Sequence, residues 1–459
     1  METNLIPILS IPLLLLSTFL FYRASGQLDP FRLNTLSFTY YSLLIMSAIG
    51  AVFIGMGIDR HRVTAFIVHP QTRLNTWGII MALMIVIPLL WILYSRVMRF
   101  DPKDYQKYLS RPIHPDPEGL SWTLCLIMAV ISIVAVIYVM VQIGLENNPI
   151  LAALRGEERE ELQRLRIAAG AGFPGNHYIK NLLAILMTQF ASLITLVNLQ
   201  MYRKRRWLLL FVALFLAASL MCIYNLEKAP ILKYLLTLMI LIVLMGAKIK
   251  TWQKLLIVIC GVAAVLLMYL VFADMQPSQL LSLEAGPINR LFITSSIGSF
   301  LHLEAFTYVF PKLGGQSLHR ILSKGLLGFD EVVRSGRVIM EYTNPEGVKK
   351  GIAGVFNALF IGEAYANFGY WGIFLSTIWI SLIFFAVHYL FVEVLSKNPA
   401  NLALFAYLSF NLPYTLHGGF ADYVVNSVWF FVIGVTILYN MTNKILGGPH
   451  AEHNLSRTQ

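Results

Sequence analysis

Gly362-Glu-Ala-Tyr-Ala-Asn-Phe-Gly-Tyr-Trp-Gly-Ile-Phe374 heads a run with no Asp, Glu, Lys or Arg from residue 364 to residue 392. That run exceeds the about 20 residues a helix needs to cross about 30 Å of hydrocarbon. The sequence therefore predicts a membrane-spanning helix with one carboxylate at its entrance. An ionised Glu within a bilayer costs about 3 kcal/mol even on lenient insertion scales, so Glu363 is expected near a water-facing end, in a cavity or beside a cation. Each placement makes it a candidate for chemistry.

The rest of the chain repeats the pattern. Runs with little or no charge cover residues 4–22, 33–58, 74–95, 119–145, 181–202, 207–226, 234–247, 255–273, 398–421 and 423–443. Of 459 residues, 57% are hydrophobic and 13% charged, with mean hydropathy +0.67; soluble domains carry about 25% charged residues. The predicted class is an all-α, polytopic integral membrane protein of about eleven transmembrane helices with a large outer loop. The run at 234–247 is short, and spans only if residues 229–233 join it and Lys233 snorkels.

Net charge is +11, and its placement gives an orientation. Arg203-Lys204-Arg205-Arg206, then Lys248, Lys250 and Lys254, then Lys397 and Lys444 recur at every second loop of the C-terminal half. The positive-inside rule assigns those loops to the cytoplasm. Extending the alternation backwards places the N-terminus outside, although Arg60, Arg62 and Arg73 then break the rule. The first run follows only Met1-Glu-Thr and lacks a basic n-region, so no cleaved signal peptide is expected. Cys125, Cys222 and Cys260 fall in apolar runs and read as small buried side chains rather than a disulfide framework or a thiolate metal site.

Four regions follow: an N-terminal bundle of about eight helices over 1–273, with an outer loop at 146–180; a large outer loop over 274–355; C-terminal transmembrane helices over 356–443; and a cytoplasmic tail over 444–459. The 146–180 loop contains LRGEEREELQRLR, expected as a solvated or interfacial helix. The formal GxGxxG at Gly170-Ala-Gly172-Phe-Pro-Gly175 has no preceding strand pattern and is interrupted by proline, so no dinucleotide site is expected. The loop over 274–355 is far longer than an ordinary connection, and loops of that length are usually functional. Its apolar stretch 291–310, broken by His302 and Glu304, reads as a helix packed on the outer surface or partly re-entrant. Beyond Pro311 the loop is net basic, through Lys312, Arg320, Lys324, Arg334, Arg337, Lys349 and Lys350. Nothing in topology favours cations on that side, so an anionic ligand is the expected cause.

The chain has no Walker loop, HExxH, zinc-type Cys/His spacing or Gly-x-Ser-x-Gly elbow, which argues against nucleotide hydrolysis and metalloproteolysis. His302-Leu-Glu304 is read as incidental polar surface rather than a metal site. What remains is outer arginines with a carboxylate at the membrane boundary. Guanidinium groups bind phosphate through paired donors, which suits a diphosphate whose lipid tail stays in the bilayer. Arg334 and Arg337 are three apart and share a face if helical. On one helix, Phe356, Phe360, Glu363, Asn367 and Tyr370 form a stripe, so carboxylate, amide and phenol would line one polar cleft. There Glu363 either takes a proton from a sugar hydroxyl or serves as a capping or helix-pairing residue held by a loop arginine.

The motifs Glu227-Lys228-Ala-Pro230 between two spans, Asn289-Arg290 in the long loop, and Gly362-Glu363-Ala-Tyr365-Ala-Asn367-Phe368-Gly369 opening a late helix resemble the Wzy-type oligosaccharide repeat-unit polymerases of O-antigen and exopolysaccharide biosynthesis. The likeness is best over residues 224–374; the family pattern often has Arg where this chain has Lys228. The resemblance implies a GT-C-like membrane glycosyltransferase of the bacterial inner membrane, its active site facing the periplasm. It would use no nucleotide sugar and no cofactor or metal, and would transfer a glycan from undecaprenyl diphosphate onto a lipid-linked repeat unit. Expected partners are that oligosaccharide, membrane lipids and a Wzz-type chain-length-regulating co-polymerase, with no nucleic acid. On this reading Glu363 and Arg290 are catalytic, while Arg334, Arg337, Arg320, His302, Lys228, Asn367 and Tyr370 contact substrate. Two alternatives stay open. An O-antigen ligase would use an outer-loop His, such as His302 or His319, with Arg. A lipid-linked oligosaccharide flippase would place its cations in a cavity among the helices.

Overall fold

The computed structural model describes residues 5–446, apart from 59–61, 228, 273–275, 277, 278, 281, 285 and 352. Arg60, Lys228 and most of the expected cytoplasmic tail therefore lie outside the described residues. Every regular element among those described is a helix. Eight are long and apolar enough to cross a membrane: Leu5–Ser25, Thr35–Gly55, Pro70–Val97, Glu118–Ile143, Ile179–Tyr202, Arg205–Ile223, Phe360–Val394 and Ala421–Leu446. The chain is a multi-pass membrane protein. The other three sequence runs carry helices at Ala229–Leu244, Thr251–Phe272 and Pro399–Thr415. The first and last have 16 and 17 residues, short of the about 20 that span hydrocarbon. Thr251–Phe272 has 22 residues, long enough to span, and eight is the number of helices among the described residues that meet both the length and the composition of a membrane span.

Compactness divides the chain into two units whose boundaries differ from the linear ones at 273, 355 and 443. The first comprises residues 1–105, 248–389 and 411–426; the second comprises 106–247, 390–410 and 427–459.

In the first unit, polar side chains tie helix to helix where the surroundings are apolar and the hydrophobic effect gives little preference for one partner. Ser17 Oγ donates to the Met84 carbonyl at 2.5 Å, Trp77 Nε1 to Ser10 Oγ at 3.0 Å, and Trp91 Nε1 to the Ser381 carbonyl at 3.1 Å. At the centre lies Ser295–Tyr308, buried on every face from Ser296 to Phe306. Of the expected outer-surface or partly re-entrant helix over 291–310, the stretch from Ser296 to Phe306 is thus buried within the protein rather than lying exposed on it. A helix that is apolar nearly all round belongs in a core, and its two polar breaks are satisfied there. His302 Nδ1 donates to the Gly298 carbonyl at 2.7 Å. The Glu304 carboxylate accepts from the backbone amides of Val68 and His69 at 3.1 and 3.2 Å, from His69 Nδ1 at 2.6 Å, and from the Thr72 hydroxyl.

Glu304 therefore caps Pro70–Val97 from a distant part of the chain, supplying the anion that the orphan amides of a helix N-terminus attract. Glu304→Ala leaves those donors without their acceptor. It is expected to cost about 2–4 kcal/mol, at about 0.5–1 kcal/mol for each of the donors it leaves, most of them only partly buried. Thermal unfolding of the purified variant measures this, and a midpoint equal to wild type would contradict it.

In the second unit, Glu118–Ile143 packs with Ile179–Tyr202 and Arg205–Ile223 over a core that includes Val139, Ile143, Phe173 and Met221. The expected solvated helix forms at Arg159–Ala169, with Arg164 paired to Glu161 at 2.6 Å and Leu165 and Ala169 turned inward. Lys397, expected to mark a cytoplasmic loop, is 3% exposed and donates to the carbonyls of Tyr108, Leu109 and Arg111. Burial pulls its ammonium down to about 8, with Arg111 adding to the effect.

Candidate functional site

The site grows from a break in the helix that carries Glu363. Gly369 has φ +63° and ψ −147°, outside helical values, so Phe360–Tyr389 is two helical segments joined by a bend. Only glycine adopts such a conformation without strain. The bend is sharp: a side chain added at Gly372 would fall 2.1 Å from the Ala364 carbonyl oxygen, eight residues back. One continuous helix would hold residues eight apart about 12 Å from each other along the axis.

The proposed stripe on one helix is accordingly corrected. Phe356 precedes the helix, and Tyr370 lies past the bend, 57% exposed, with its ring edge against Tyr365. Glu363 and Asn367 share the short first segment and are 9% and 2% exposed.

Two loops close on that segment. Residues 313–317 cross its C-terminal end, where the Leu313 and Gly314 amides donate to the Ala366 and Asn367 carbonyls at 2.9 and 3.1 Å. These bonds satisfy carbonyls that the helix ends with unpaired. Asn367 fixes the crossing: its Oδ1 accepts from the Gly315 amide at 3.0 Å, and its Nδ2 donates to Ser317 Oγ at 2.7 Å and to the Glu363 carbonyl at 2.9 Å. Asn367, expected to contact substrate, is spent on architecture.

Ser317 Oγ donates to Glu363 Oε1 at 2.8 Å. From the other side the Ala421 amide donates to Glu363 Oε2 at 2.8 Å, and the Phe420 amide also bonds the carboxylate. The turn reaches that close because residue 419 is glycine: its φ is +134°, and a Cβ there would lie 2.5 Å from Oε2. The carboxylate at the head of the run is thus held by a hydroxyl and backbone amides of two loops, rather than by a loop arginine.

A cavity of 370 Å³ opens beside this clasp. Its size falls in the range of about 300–1,000 Å³ typical of small-molecule sites. It joins five titratable residues singled out from the sequence, His302, His319, Arg320, Arg334 and Glu363, and adds Asp422. All come from the first unit.

The Arg320 and Arg334 side chains are exposed, and neither has a side-chain hydrogen bond or an ion pair among the described residues. Asp422, also exposed and without such bonds, faces Arg334 and His319 electrostatically. His302 is 1% exposed; burial pushes its imidazole down to about 4, so the ring is neutral near pH 7. Because Nδ1 donates to the Gly298 carbonyl, Nε2 carries the lone pair and accepts from the Ser335 hydroxyl at 3.2 Å.

The remaining candidates stand apart. Arg334 is the N-cap of Ser335–Thr343, with extended backbone, so it does not share a helical face with Arg337. Arg337 is engaged by Glu341 at 2.9 Å and by the Ala353 and Gly354 carbonyls. It lines a neighbouring opening of 550 Å³ whose wall also includes Arg334. Arg290 is exposed in the turn Asn289–Thr294 and does not line the 370 Å³ cavity.

Asp422 does carry a sequence signal: the Gly-Gly pair at 418–419, between two titratable residues, permits close backbone approach. Ser317 and Ser335 carry no sequence signal, since serine is common in loops. No family model matches the chain, and no curated protein or solved structure matches it either.

Proposed function

We propose that this membrane protein is a glycosyltransferase that polymerises undecaprenyl-diphosphate-linked oligosaccharide repeat units at the periplasmic face of a bacterial inner membrane. The observation that carries the reading is the pair of guanidinium groups, Arg320 and Arg334, that have no side-chain partner among the described residues and open on one cavity with carboxylates. Free arginines beside a cleft suit a dianionic leaving group: each offers paired donors, and together they neutralise the charge that grows as the sugar departs.

In this reading the diphosphate of the donor lies against Arg320 and Arg334, with its prenyl chain in the membrane. The acceptor sugar's hydroxyl enters the cavity on the side of Asp422 and Glu363. Glu363 acts as the orienting group, because both its oxygens already accept hydrogen bonds. Arg290, assigned a catalytic part by resemblance, stands outside the cavity, and its part falls to Arg320 and Arg334. A GT-C-like architecture and a Wzz-type co-polymerase belong to the same proposal.

A second reading has one observation in its favour. His319 lines the cavity next to Arg320, and an outer-loop His with Arg suits a ligase that moves glycan onto a lipid A core. Reconstitution with a lipid-linked repeat unit separates the two. A ladder of products is expected; a single addition to a core acceptor would favour the ligase, and no transfer to either acceptor would sink both. Labelling of a cysteine placed at the exposed Lys324 is expected from outside the cell, and labelling from the cytosolic side alone would also defeat the proposal.

A further inference from the structure

We infer that Asp422, and not Glu363, is the residue that takes the proton from the acceptor sugar's hydroxyl; this rests on the glycosyl-transfer reading above. Four side chains lining the cavity have the chemistry of a proton acceptor: Glu363, His302, His319 and Asp422. Three are committed.

Glu363 accepts from Ser317 at one oxygen and from Ala421 at the other, and the Gly419 backbone lies over the second. His302 is buried, and its lone pair is directed at the Ser335 hydroxyl. In His319, Nδ1 accepts from the Ile321 amide at 3.3 Å, which leaves the proton on Nε2 and makes the ring a donor toward the cavity. Asp422 alone presents a carboxylate without a hydrogen bond among the described residues. Around it stand Arg334 and His319 from the loop and Glu363 from the helix.

Its backbone is nevertheless pinned. The amide of the preceding residue, Ala421, is held by Glu363; the Tyr423 hydroxyl donates to the Leu412 carbonyl at 2.5 Å; and Trp379 Nε1 donates to the Tyr423 carbonyl at 2.9 Å. A free carboxylate on a fixed backbone is what proton transfer in a transition state requires. Glu363 is then a positioning residue, acting on Asp422 through the amide between them.

The step balances as follows. The acceptor O–H gives its proton to the Asp422 carboxylate. The freed electron pair on that oxygen forms the bond to the donor's anomeric carbon. The bond from that carbon to the diphosphate oxygen breaks, and its pair leaves on the diphosphate, which faces Arg320 and Arg334. Asp422 then returns its proton to water at the cavity mouth.

The test compares wild type, Asp422→Asn, Asp422→Glu and Glu363→Gln in the reconstituted assay, reading turnover, KM and the pH–rate profile from about pH 5 to about pH 9. Asp422→Asn is expected to lower turnover by about 10²–10⁴-fold, the usual contribution of a positioned base, and to abolish the wild-type fall in rate at acid pH. Its KM should stay within about threefold of wild type and its unfolding midpoint unchanged, because the side chain is exposed and unbonded. Asp422→Glu should recover part of the rate, and Glu363→Gln should keep the acid limb. Wild-type turnover in Asp422→Asn, or an acid limb that survives there, overturns the assignment while leaving the transferase reading intact. No transfer by wild type overturns both.

Discussion

Arg320→Ala combined with Arg334→Ala is expected to reduce glycosyl transfer by at least about 10³-fold. Each guanidinium removed takes away a donor aimed at developing negative charge, and loss of one such donor costs about 10²–10³-fold in turnover. Neither arginine is tied to a carboxylate or carbonyl by its side chain among the described residues, so removing both leaves no buried partner stranded. The unfolding midpoint should therefore stay near wild type while turnover collapses. Arg337→Ala is expected to behave in the opposite way. Its guanidinium holds Glu341 and the Ala353 and Gly354 carbonyls, so the loss falls on local stability more than on chemistry. Initial rates with a lipid-linked donor, beside thermal unfolding of the same preparations, make the comparison. A double variant within about threefold of wild-type turnover would show that the diphosphate does not bind in this cavity, since even one lost donor exceeds that change.

Glu363→Ala is expected to cost about 2–4 kcal/mol of stability and to dismantle the site along with it. The estimate follows from leaving the Ala421 and Phe420 amides and the Ser317 hydroxyl without their acceptor, at about 1 kcal/mol for each of these donors, two of which are only partly buried. This carboxylate joins the loops at 313–317 and 418–421 through Ser317 and Ala421, so both are expected to loosen. Limited proteolysis near Lys312 and near Tyr414 should then accelerate together. Glu363→Gln, which keeps the volume and one acceptor oxygen, should lose less than half as much. If the alanine variant melted with wild type, the carboxylate would have to be a solvated group with no structural part.

How much of this was legible in the chain differs between the membrane class and the site. Charge-free runs announce spanning helices because lipid admits only segments whose backbone bonds close within the segment. The net basic stretch past Pro311 likewise pointed to the part of the chain that supplies Arg320 and Arg334. Three expectations failed where tertiary contact overrode local pattern. The 291–310 stretch reads as an outer-surface or partly re-entrant helix because His302 and Glu304 interrupt it, but an exposed surface position is ruled out, since both find partners inside the fold. The polar stripe assumed a straight helix, which Gly369 bends. Arg334 and Arg337 were given one face, but a helix starts between them.

By itself the sequence determined that this is a helical, multi-pass membrane protein with cations gathered in one long loop and a lone carboxylate at the head of a late span. Those properties are local: they depend on residues within a helix turn or a span of one another. Only the tertiary structure decided that Glu363 would bind Ser317 and Ala421, 46 and 58 residues away along the chain, and that Arg320, Arg334 and Asp422 would border one cavity. Such meetings arise when buried donors and acceptors find each other across separate segments, and no spacing within any one segment encodes them.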